Sequence, residues 1–288
     1  MIKIKVPATT ANIGCGFDTL GCALTLYSTF TFDKNESFKI TGCPEKYQNE
    51  ENLVITSYKK VFNQLNKEII PVSLHIDSEI PVSRGLGSSA SCIVAGIWAA
   101  NHFLGYPLNK EQCLDIATEI EGHPDNVAPA IYGNLCSSFL SNQVYTAHFN
   151  ASQDLNLLVM IPDFEVSTAS ARKVLPKTVD YKDAIFNVSR VACLCKALEE
   201  NNQEMIHHAL QDKLHEPYRK ELIHEYEDIK EICKDEVAFF ISGSGPTLIC
   251  IAKNDRNEII EKVSKLKCNW KCLLLNIDTL GVQEEIYD

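Results

Sequence analysis

The segment RGLGSSAS, residues 84–91, constrains the fold most strongly, because it joins a flexible turn directly to an apolar helix. The residues that follow, CIVAGIWAANHFLG, have helical spacing and predict a helix of about four turns. The first N–H groups of a helix have no internal partner and carry partial positive charge. The segment therefore predicts either a helix capped by Ser88 or Ser89, or a loop that binds an anion such as phosphate.

Two common nucleotide-binding motifs do not occur at this turn. The Walker loop requires a lysine after its last glycine, and here Ser88 follows Gly87. The dinucleotide motif G-x-G-x-x-G requires a third glycine where this chain has Ala90. A phosphate loop at these residues must therefore have a different design.

The composition of the 288 residues is that of an ordinary globular protein, with 45% hydrophobic and 23% charged residues. This length suits two modest domains or one large one. The formal net charge of −11 argues against a nucleic-acid-binding surface.

The N-terminal segment and the cysteines predict a cytoplasmic protein without a membrane partner. MIKIKVPATTANIG has charged and turn residues where a signal peptide is apolar, and no window approaches the run of about 18 apolar residues of a membrane span. The 12 cysteines are scattered and form no C-x-x-C pair, so zinc-knuckle and thioredoxin-type sites have no support. Reduced thiols without an export signal are typical of the cytoplasm.

The first half of the chain mixes strand and helix patterns. Alternation predicts strands at residues 2–6, 24–33 and 72–77, with Pro7 ending the first, and apolar periodicity predicts helices at 53–66, 89–105 and 109–122. In the last of these helices, Asn109 is the predicted N-cap and Gly122 the predicted stop.

A polar stretch at residues 141–154 indicates a boundary between an N-terminal domain, residues 1–150, and a C-terminal domain, residues 151–288. The second half predicts a buried strand, several helices, one of them at residues 221–234, two strands around the turn SGSGP, and a final helix and strand. Few evenly spaced strand–helix–strand units occur, so the sequence favours an α+β fold over a doubly wound sheet.

The stretch PVSRGLGSSA, Pro81 to Ala90, resembles the P-x-x-x-G-L-G-S-S-A motif of the GHMP kinases, named for galactokinase, homoserine kinase, mevalonate kinase and phosphomevalonate kinase. Near the C-terminus, ISGSGPT resembles the third motif of the same family, a glycine turn beside the phosphate loop. Four further stretches resemble its homoserine kinase branch: VPATTANIGCGFDTLG, EGHPDNVAPAIYGN, LPKT and LHEPYRKELIHEY. The resemblance covers the whole chain and shows no extra domain. It implies a two-domain fold with the active site between the domains. It also implies ATP-dependent phosphorylation of L-homoserine to O-phospho-L-homoserine, a step of threonine biosynthesis.

The resemblance also implies an ATP and Mg²⁺ site. The expected ATP-binding residues are Pro81, Val82, Ser83, Arg84, Gly85, Leu86, Gly87, Ser88, Ser89, Ala90, Ser91, Asn52, Val54 and Gly243. For Asn52 to Val54, a helix cap followed by a helix core is an equally good interpretation. Magnesium prefers hard oxygen ligands, expected from Ser88 and Glu119. Glu121, on another face of the same helix, stays an alternative, because the loop before HPDN is shorter here than in many members.

By the same resemblance, six residues contact homoserine. Asn12 aligns the δ-hydroxyl, and a group of three residues binds the ammonium. Two arginines bind the carboxylate, because a planar guanidinium can donate two hydrogen bonds to it. The ammonium-side residues are Asp18, His123 and Asp125; the arginines are Arg172 and Arg219; the expected catalytic residues are Asn12, Asp125 and Arg219. From residue type alone, Asn12 and Asp18 are better interpreted as Asx-turn residues and the two arginines as solvated. His123 and Asp125 are then turn or cap residues, with Asp125 as the N-cap of the following helix. No catalytic base is assigned.

Two other functions stay open: another GHMP small-molecule kinase of the mevalonate type, and an ATP-binding sensor without catalysis. HPDN and the two arginines argue against the first, and the joint presence of Asn12, Ser88, Glu119 and Asp125 argues against the second. Beside homoserine and ATP, the expected partners are L-threonine as a feedback inhibitor and a second copy of the chain in a homodimer.

Overall fold

A computed structural model describes residues 1–253 and 256–287, and within these ranges it contains eleven strands and ten α-helices. The strands are β1 (Ile2–Ala11), β2 (Leu20–Lys34), β3 (Lys39–Thr41), β4 (Val72–Ser78), β5 (Leu135–Leu140), β6 (Val144–Phe149), β7 (Leu157–Pro162), β8 (Ala238–Ile241), β9 (Leu248–Ile251), β10 (Trp270–Leu275) and β11 (Gln283–Ile286). The helices are α1 (Leu53–Gln64), α2 (Ser88–Phe103), α3 (Lys110–Glu121), α4 (Pro124–Tyr132), α5 (Thr168–Lys173), α6 (Tyr181–Glu200), α7 (Gln203–Ala209), α8 (Glu216–Arg219), α9 (Tyr226–Ile232) and α10 (Arg256–Val263). Short 3₁₀ turns occur at Glu45–Tyr47 and Lys220–Leu222. None of the helices in the described ranges has the length and apolar character needed to cross a membrane.

The strands form two sheets. The larger has the order β11-β1-β2-β4-β3, with β5 paired to β2 and β6 to β5; the smaller has the order β10-β7-β9-β8. The pairs are antiparallel except for β3 and β4. Helices combined with antiparallel sheets confirm the predicted α+β class.

The chain passes from the larger sheet to the smaller between β6 and β7, beside the predicted boundary at residue 150. However, β11 returns to the larger sheet, where Ile286 pairs with Ile2. One buried apolar cluster also contains residues from both halves, such as Ala8 and Leu157. The division into residues 1–150 and 151–288 therefore stays a prediction, and the last strand of the second segment belongs with the first.

The first strand is longer than predicted. Pro7 does not end β1, which continues to Ala11, and the pairing with β2 shifts between Pro7 and Ala8. Proline has no N–H for the ladder, and the shift of register accommodates it within the sheet. As a result, β1 carries the chain directly to the loop of residues 12–19.

Helix α3 has the predicted ends. Asn109 forms a capping box with Gln112, and Gly122 ends the helix in a left-handed conformation with φ of 93°. The chain then enters α4 within two residues, which places the EGHPDN segment beside the start of α2.

Candidate active site

A cleft of about 590 Å³ opens where the β1–β2 loop, the turn before α2 and the α3–α4 junction meet α5, α8 and the β8–β9 turn. It therefore collects residues from both halves of the chain. The expected residues that line it are Asn12, Asp18, Asn52, Pro81, Val82, Ser83, Arg84, Gly85, Gly87, Ser88, Ser89, His123, Arg172, Arg219 and Gly243.

The turn before α2 leaves the start of this helix without a side-chain cap. The N-cap is Gly87 in a left-handed conformation, and neither Ser88 nor Ser89 donates or accepts a capping hydrogen bond. A Cβ on Gly87 would lie 2.0 Å from Oγ1 of Thr9, so only glycine fits here. Because the capping alternative is wrong, the first N–H groups of α2 are available to an anion in the cleft.

The second half of the chain holds this turn in place. The Ser242 hydroxyl donates to the Gly85 carbonyl at 2.7 Å, and the Gly243 N–H donates to the Ala11 carbonyl at 2.8 Å. The guanidinium of Arg84 donates to the carbonyls of Pro162 and Asp163, both at 2.9 Å. Although Arg84 lines the cleft, its charged group thus joins the turn to the end of β7.

Four of the expected ATP-binding residues do not reach the cleft. Leu86, Ala90, Ser91 and Val54 are almost completely buried, with at most 1% of each exposed. They pack below the turn and in the core, as the apolar spacing of α1 and α2 requires. Asn52 does line the cleft, but its Oδ1 accepts the Val54 N–H at 2.9 Å, which confirms the alternative that it caps α1.

The structure places Glu121 in the cleft and not Glu119, the expected metal ligand. Glu119 points away from the cleft, and its carboxylate lies 2.6 Å from the Lys60 ammonium. Glu121 lines the cleft and accepts a hydrogen bond from the Ser89 hydroxyl at 2.7 Å. Because residues two apart on a helix point in roughly opposite directions, only one of the two glutamates can face the cleft.

The donors beside the turn fit a magnesium ion that is bound partly by phosphates. Burial raises the pKa of Glu121, while the Ser89 hydrogen bond and nearby His123 lower it. Two hydroxyls and one carboxylate are hard oxygen donors, and Mg²⁺ takes few of these from a protein and the rest from phosphate and water. No group of three or more His, Cys, Asp or Glu residues suited to a metal occurs in the part of the chain that the structure describes.

The β1–β2 loop presents Asn12 and Asp18 to the cleft. Both have left-handed backbone conformations, with φ of 55° and 49°, and the Asp18 N–H donates to Asn12 Oδ1 at 2.8 Å. Both residues line the cleft, and the bond between them spans six residues, so it closes the loop and is not an Asx-turn, which joins residues two apart. The two carboxylate oxygens of Asp18 accept hydrogen bonds from Arg172 at 3.0 and 3.1 Å. The expected ammonium acceptor and the expected carboxylate donor thus pair with each other.

His123 and Asp125 form a second charged pair at the start of α4. The Nδ1 atom of His123 lies 2.5 Å from Asp125 Oδ1, and this hydrogen bond raises the pKa of His123 against the opposing effect of burial. Asp125 is not the predicted N-cap, since His123 holds that position. The Asp125 carboxylate is buried behind His123 instead of lining the cleft, and its Oδ2 has no hydrogen-bond partner within the described ranges.

Arg219 is buried, with 2% of it exposed, which excludes the solvated alternative. Its Nη1 donates to the Gly243 carbonyl at 3.0 Å, and its guanidinium carbon lies 5.0 Å from the ring centre of Phe17. Burial lowers the pKa of Arg219, while Asp18 raises it. Carbonyl and aromatic contacts hold this charge in the cleft, and no carboxylate within the described ranges forms an ion pair with it, as a binding site for an anion requires.

Sequence reasoning missed two parts of the cleft. Asn126 lines it and accepts a hydrogen bond from the Thr9 hydroxyl at 2.8 Å, although it lies in the motif HPDN and could have been found there. The other part is an apolar end, whose lining includes Phe30, Cys43, Pro44, Tyr47, Ile76, Ile80 and Cys92 beside the expected stretch that contains Leu53. No motif marks these residues, because they meet only after folding.

Comparisons with known proteins agree with this geometry. Residues 52–134 match the family model of the GHMP kinases N terminal domain, and residues 191–267 match that of the GHMP kinases C terminal domain. A homoserine kinase of Clostridium botulinum (strain 657 / Type Ba4) is 42% identical over 98% of this chain and 97% of its own length. One of Clostridium beijerinckii is 39% identical over the same shares.

A solved structure is also similar over the full length. The crystal structure of homoserine kinase from Cytophaga hutchinsonii matches with a TM-score of 0.89 and 26% identity, covering 99% of this chain and 97% of the other. With its two matched family domains and its full-length relatives, this chain belongs to the GHMP kinase family, in the branch of the homoserine kinases.

Proposed function

We propose that this protein transfers the γ-phosphoryl group of ATP to the hydroxyl of L-homoserine and releases ADP and O-phospho-L-homoserine. One observation carries the proposal: a helix start without a side-chain cap shares a cleft with the carboxylate of Asp18 and the guanidiniums of Arg172 and Arg219. The helix start suits the phosphates of a nucleotide, and the charged groups suit a small zwitterion. The similarity to homoserine kinases supports the same substrates.

On the nucleotide side, catalysis requires positioning and charge neutralisation, because the transition state of phosphoryl transfer is loose. The turn with Gly85 and Gly87 brings phosphates close to backbone N–H groups. Ser88, Ser89 and Glu121 would hold Mg²⁺, which neutralises phosphate charge when it is bound. The apolar end of the cleft suits the adenine base.

On the acceptor side, the Asp18–Arg172 pair selects a substrate with both charges. The ammonium of homoserine replaces Arg172 at Asp18, and the carboxylate accepts hydrogen bonds from Arg172 and Arg219. This exchange preserves the number of charge-assisted contacts. A ligand with only one charge would leave either Asp18 or Arg172 without its partner, which costs free energy.

Asn12 and His123 orient the remaining groups. Oδ1 of Asn12 is occupied by the Asp18 N–H, so its amide nitrogen is the group left to direct the substrate hydroxyl. Nδ1 of His123 donates to Asp125, and the raised pKa favours a proton on Nε2 as well. A ring with two donors binds a carboxylate or phosphate oxygen better than an ammonium, so we assign His123 to an anionic group. Asp125 then acts through His123 as a positioning residue.

A substrate panel tests the proposal. Purified protein with ATP and Mg²⁺ is expected to release ADP when L-homoserine is added and not when mevalonate or galactose is added. Preference for mevalonate would favour the mevalonate-type alternative. No turnover with any acceptor, together with retained ATP binding, would favour the non-catalytic sensor.

Two analogues test the zwitterion site within this reaction: 3-aminopropan-1-ol, which lacks the carboxylate, and 4-hydroxybutanoate, which lacks the ammonium. Arg172→Met is expected to lower kcat/KM for L-homoserine by about 10- to 100-fold, as for the loss of a charge-assisted hydrogen bond, and to change little for 3-aminopropan-1-ol. Lys173→Met is the matched control, because it removes the neighbouring exposed cation of α5. Equal losses of kcat/KM for L-homoserine and for 3-aminopropan-1-ol in Arg172→Met would show that Arg172 does not bind the carboxylate.

Four finer expectations stay predictions: that Mg²⁺ is the metal, that L-threonine inhibits, that the chain dimerises and that it works in the cytoplasm. L-Threonine has the same charged groups as homoserine, so we expect it to compete with homoserine and not with ATP. Inhibition kinetics against each substrate check the inhibition by L-threonine, and sedimentation at several protein concentrations checks the dimer.

A further inference from the structure

The loop that carries Asn12 and Asp18 rests on His215, a completely buried residue at the start of α8. We propose that His215 is a positioning residue that fixes this loop and thereby the substrate side of the cleft. The expected effect of His215 on kinetics rests on the proposed function. The effect of His215 on the conformation of the loop can be measured independently of any activity.

The loop needs support from outside because its backbone is strained. Asn12, Gly14 and Asp18 have φ values of 55°, 49° and 49°. Two of them are not glycine, and left-handed conformations of such residues persist only where surrounding contacts hold them. Inside the loop, the Asp18 N–H donates to Asn12 Oδ1 and the Gly16 N–H to the Ile13 carbonyl. These bonds alone leave the carbonyls of Gly14 and Cys15 to find partners elsewhere.

His215 provides two of the contacts from outside. Its Nε2 lies 3.0 Å from the carbonyl oxygen of Gly14, and its ring stacks on Phe17 with ring centres 5.2 Å apart and planes 20° apart. Gly14 approaches this segment so closely that a Cβ there would lie 1.8 Å from the Leu210 carbonyl oxygen. The same Phe17 ring lies against the guanidinium of Arg219, so one stack joins His215, the loop and the cleft.

The protonation state of His215 follows from its partners. A carbonyl oxygen can only accept, so Nε2 carries a hydrogen. Nδ1 is buried without a hydrogen-bond partner in the described part of the chain. A second proton there would be a buried donor with no acceptor, and burial lowers the pKa of His215 despite the opposing effect of Asp212. The ring is therefore neutral, in a single tautomer whose one donor points at Gly14.

His215 is itself held firmly. Oδ2 of Asp212 accepts the N–H groups of His215 and Glu216, each at 2.8 Å. Oδ1 of Asp212 accepts a hydrogen bond from Asn187 at 2.6 Å, and Asn187 also donates to the Cys15 carbonyl at 3.0 Å. The loop is thus attached to α6 and α8 at two successive carbonyls.

Two substitutions separate the hydrogen bond from the packing. His215→Phe keeps an aromatic ring beside Phe17 and removes the donor to Gly14. His215→Gln keeps an N–H near the position of Nε2. We expect His215→Phe to lower kcat/KM for L-homoserine by about 10- to 100-fold, mainly through KM, with KM for ATP changed less than about twofold. His215→Gln is expected to recover most of this loss. Hydrogen exchange of residues 12–18 is expected to rise in the Phe variant.

His207→Phe is the matched control, because the exposed His207 also bonds a backbone carbonyl, that of Val237, and does not contact the loop. It should leave both kinetics and loop exchange unchanged. If His215→Phe leaves loop exchange unchanged, or raises both KM values equally, the proposal is wrong. If His215→Phe does not fold, Phe17→Leu removes the stack and keeps the donor to Gly14. Because Phe17 also lies against Arg219, only loop exchange decides in this variant: it is expected to rise, and unchanged exchange would contradict the proposal. If wild-type protein does not phosphorylate homoserine, the proposed function fails, while loop exchange still decides the role of His215.

Discussion

Removing the charge of Glu121 while keeping its shape should weaken metal use selectively. In Glu121→Gln, the side-chain carbonyl can still accept the Ser89 hydrogen bond, which is 2.7 Å long in the wild type. The phosphate turn should therefore keep its conformation. What is lost is one anionic oxygen for a divalent cation.

The expected magnitude follows from the surroundings of the two glutamates. Loss of a charged ligand should raise the Mg²⁺ concentration at half-maximal rate by about 10- to 100-fold, which corresponds to about 1.4–2.7 kcal/mol. Glu119→Gln is the matched control, since it removes an exposed carboxylate paired with Lys60 and should cost about 0–1 kcal/mol of stability with no change in metal use. Because a neutral amide is easier to bury than a carboxylate, Glu121→Gln should keep or increase the thermal stability.

The assay is the initial rate at saturating ATP and acceptor across a range of free Mg²⁺, with the melting temperature of each variant. A rightward shift for Glu121→Gln alone, without loss of stability, would support the assignment. A larger shift for Glu119→Gln, or equal curves for all three proteins, would refute the reasoning from helix geometry.

Two further substitutions test the turn and the smaller sheet. Gly87→Ala should destabilise the protein and raise KM for ATP about tenfold or more, because its Cβ would displace Oγ1 of Thr9. The control is Gly105→Ala, which has φ of 80° but open space around its Cβ and should cost only about 1–2 kcal/mol in denaturant unfolding. Similar KM values for ATP in both variants would contradict this prediction. Burial raises the pKa of Glu216 to about 8. At a pH between the pKa of the unfolded chain and this value, the folded protein carries a proton on Glu216 that the unfolded chain has lost. The free energy of unfolding therefore falls by up to about 1.4 kcal/mol per pH unit as the pH rises through that window. Glu216→Gln, which can still accept the Ile241 N–H, should flatten this dependence in urea unfolding from pH 6 to 9, and parallel profiles for both proteins would count against the shift.

The fold was predictable where a local signal determines local structure. Asn109 and Gly122 mark both ends of α3, because capping and a left-handed stop act within one turn. The antiparallel strands β8 and β9 around the glycine turn also follow the prediction. In contrast, the predicted helix at residues 221–234 breaks at Glu225, whose carboxylate accepts N–H groups from Lys267 and Cys268. Such distant partners leave no pattern in the sequence around residue 225.

The same limit applies to the active site. Spacing placed Gly85, Gly87 and the following serines at a helix start, and the family resemblance supplied their ligand. Sequence alone did not decide between Glu119 and Glu121, because both lie on an amphipathic helix and only packing decides which face meets Ser89. Similarly, the burial of Asp125 behind His123 depends on how α4 packs against β2, where a Cβ on Gly21 would lie 1.7 Å from the Asp125 carbonyl oxygen.

The contacts that hold the turn before α2 also restrict how the cleft can move. Bonds from Ser242 to Gly85, from Arg84 to Pro162 and from Gly243 to Ala11 cross between the halves of the chain at the phosphate end. A hinge that separated the two sheets would break all of these bonds together. We therefore expect the phosphate end of the cleft to keep its shape when substrates bind, since relative motion of the two sheets there would cost all three hydrogen bonds at once.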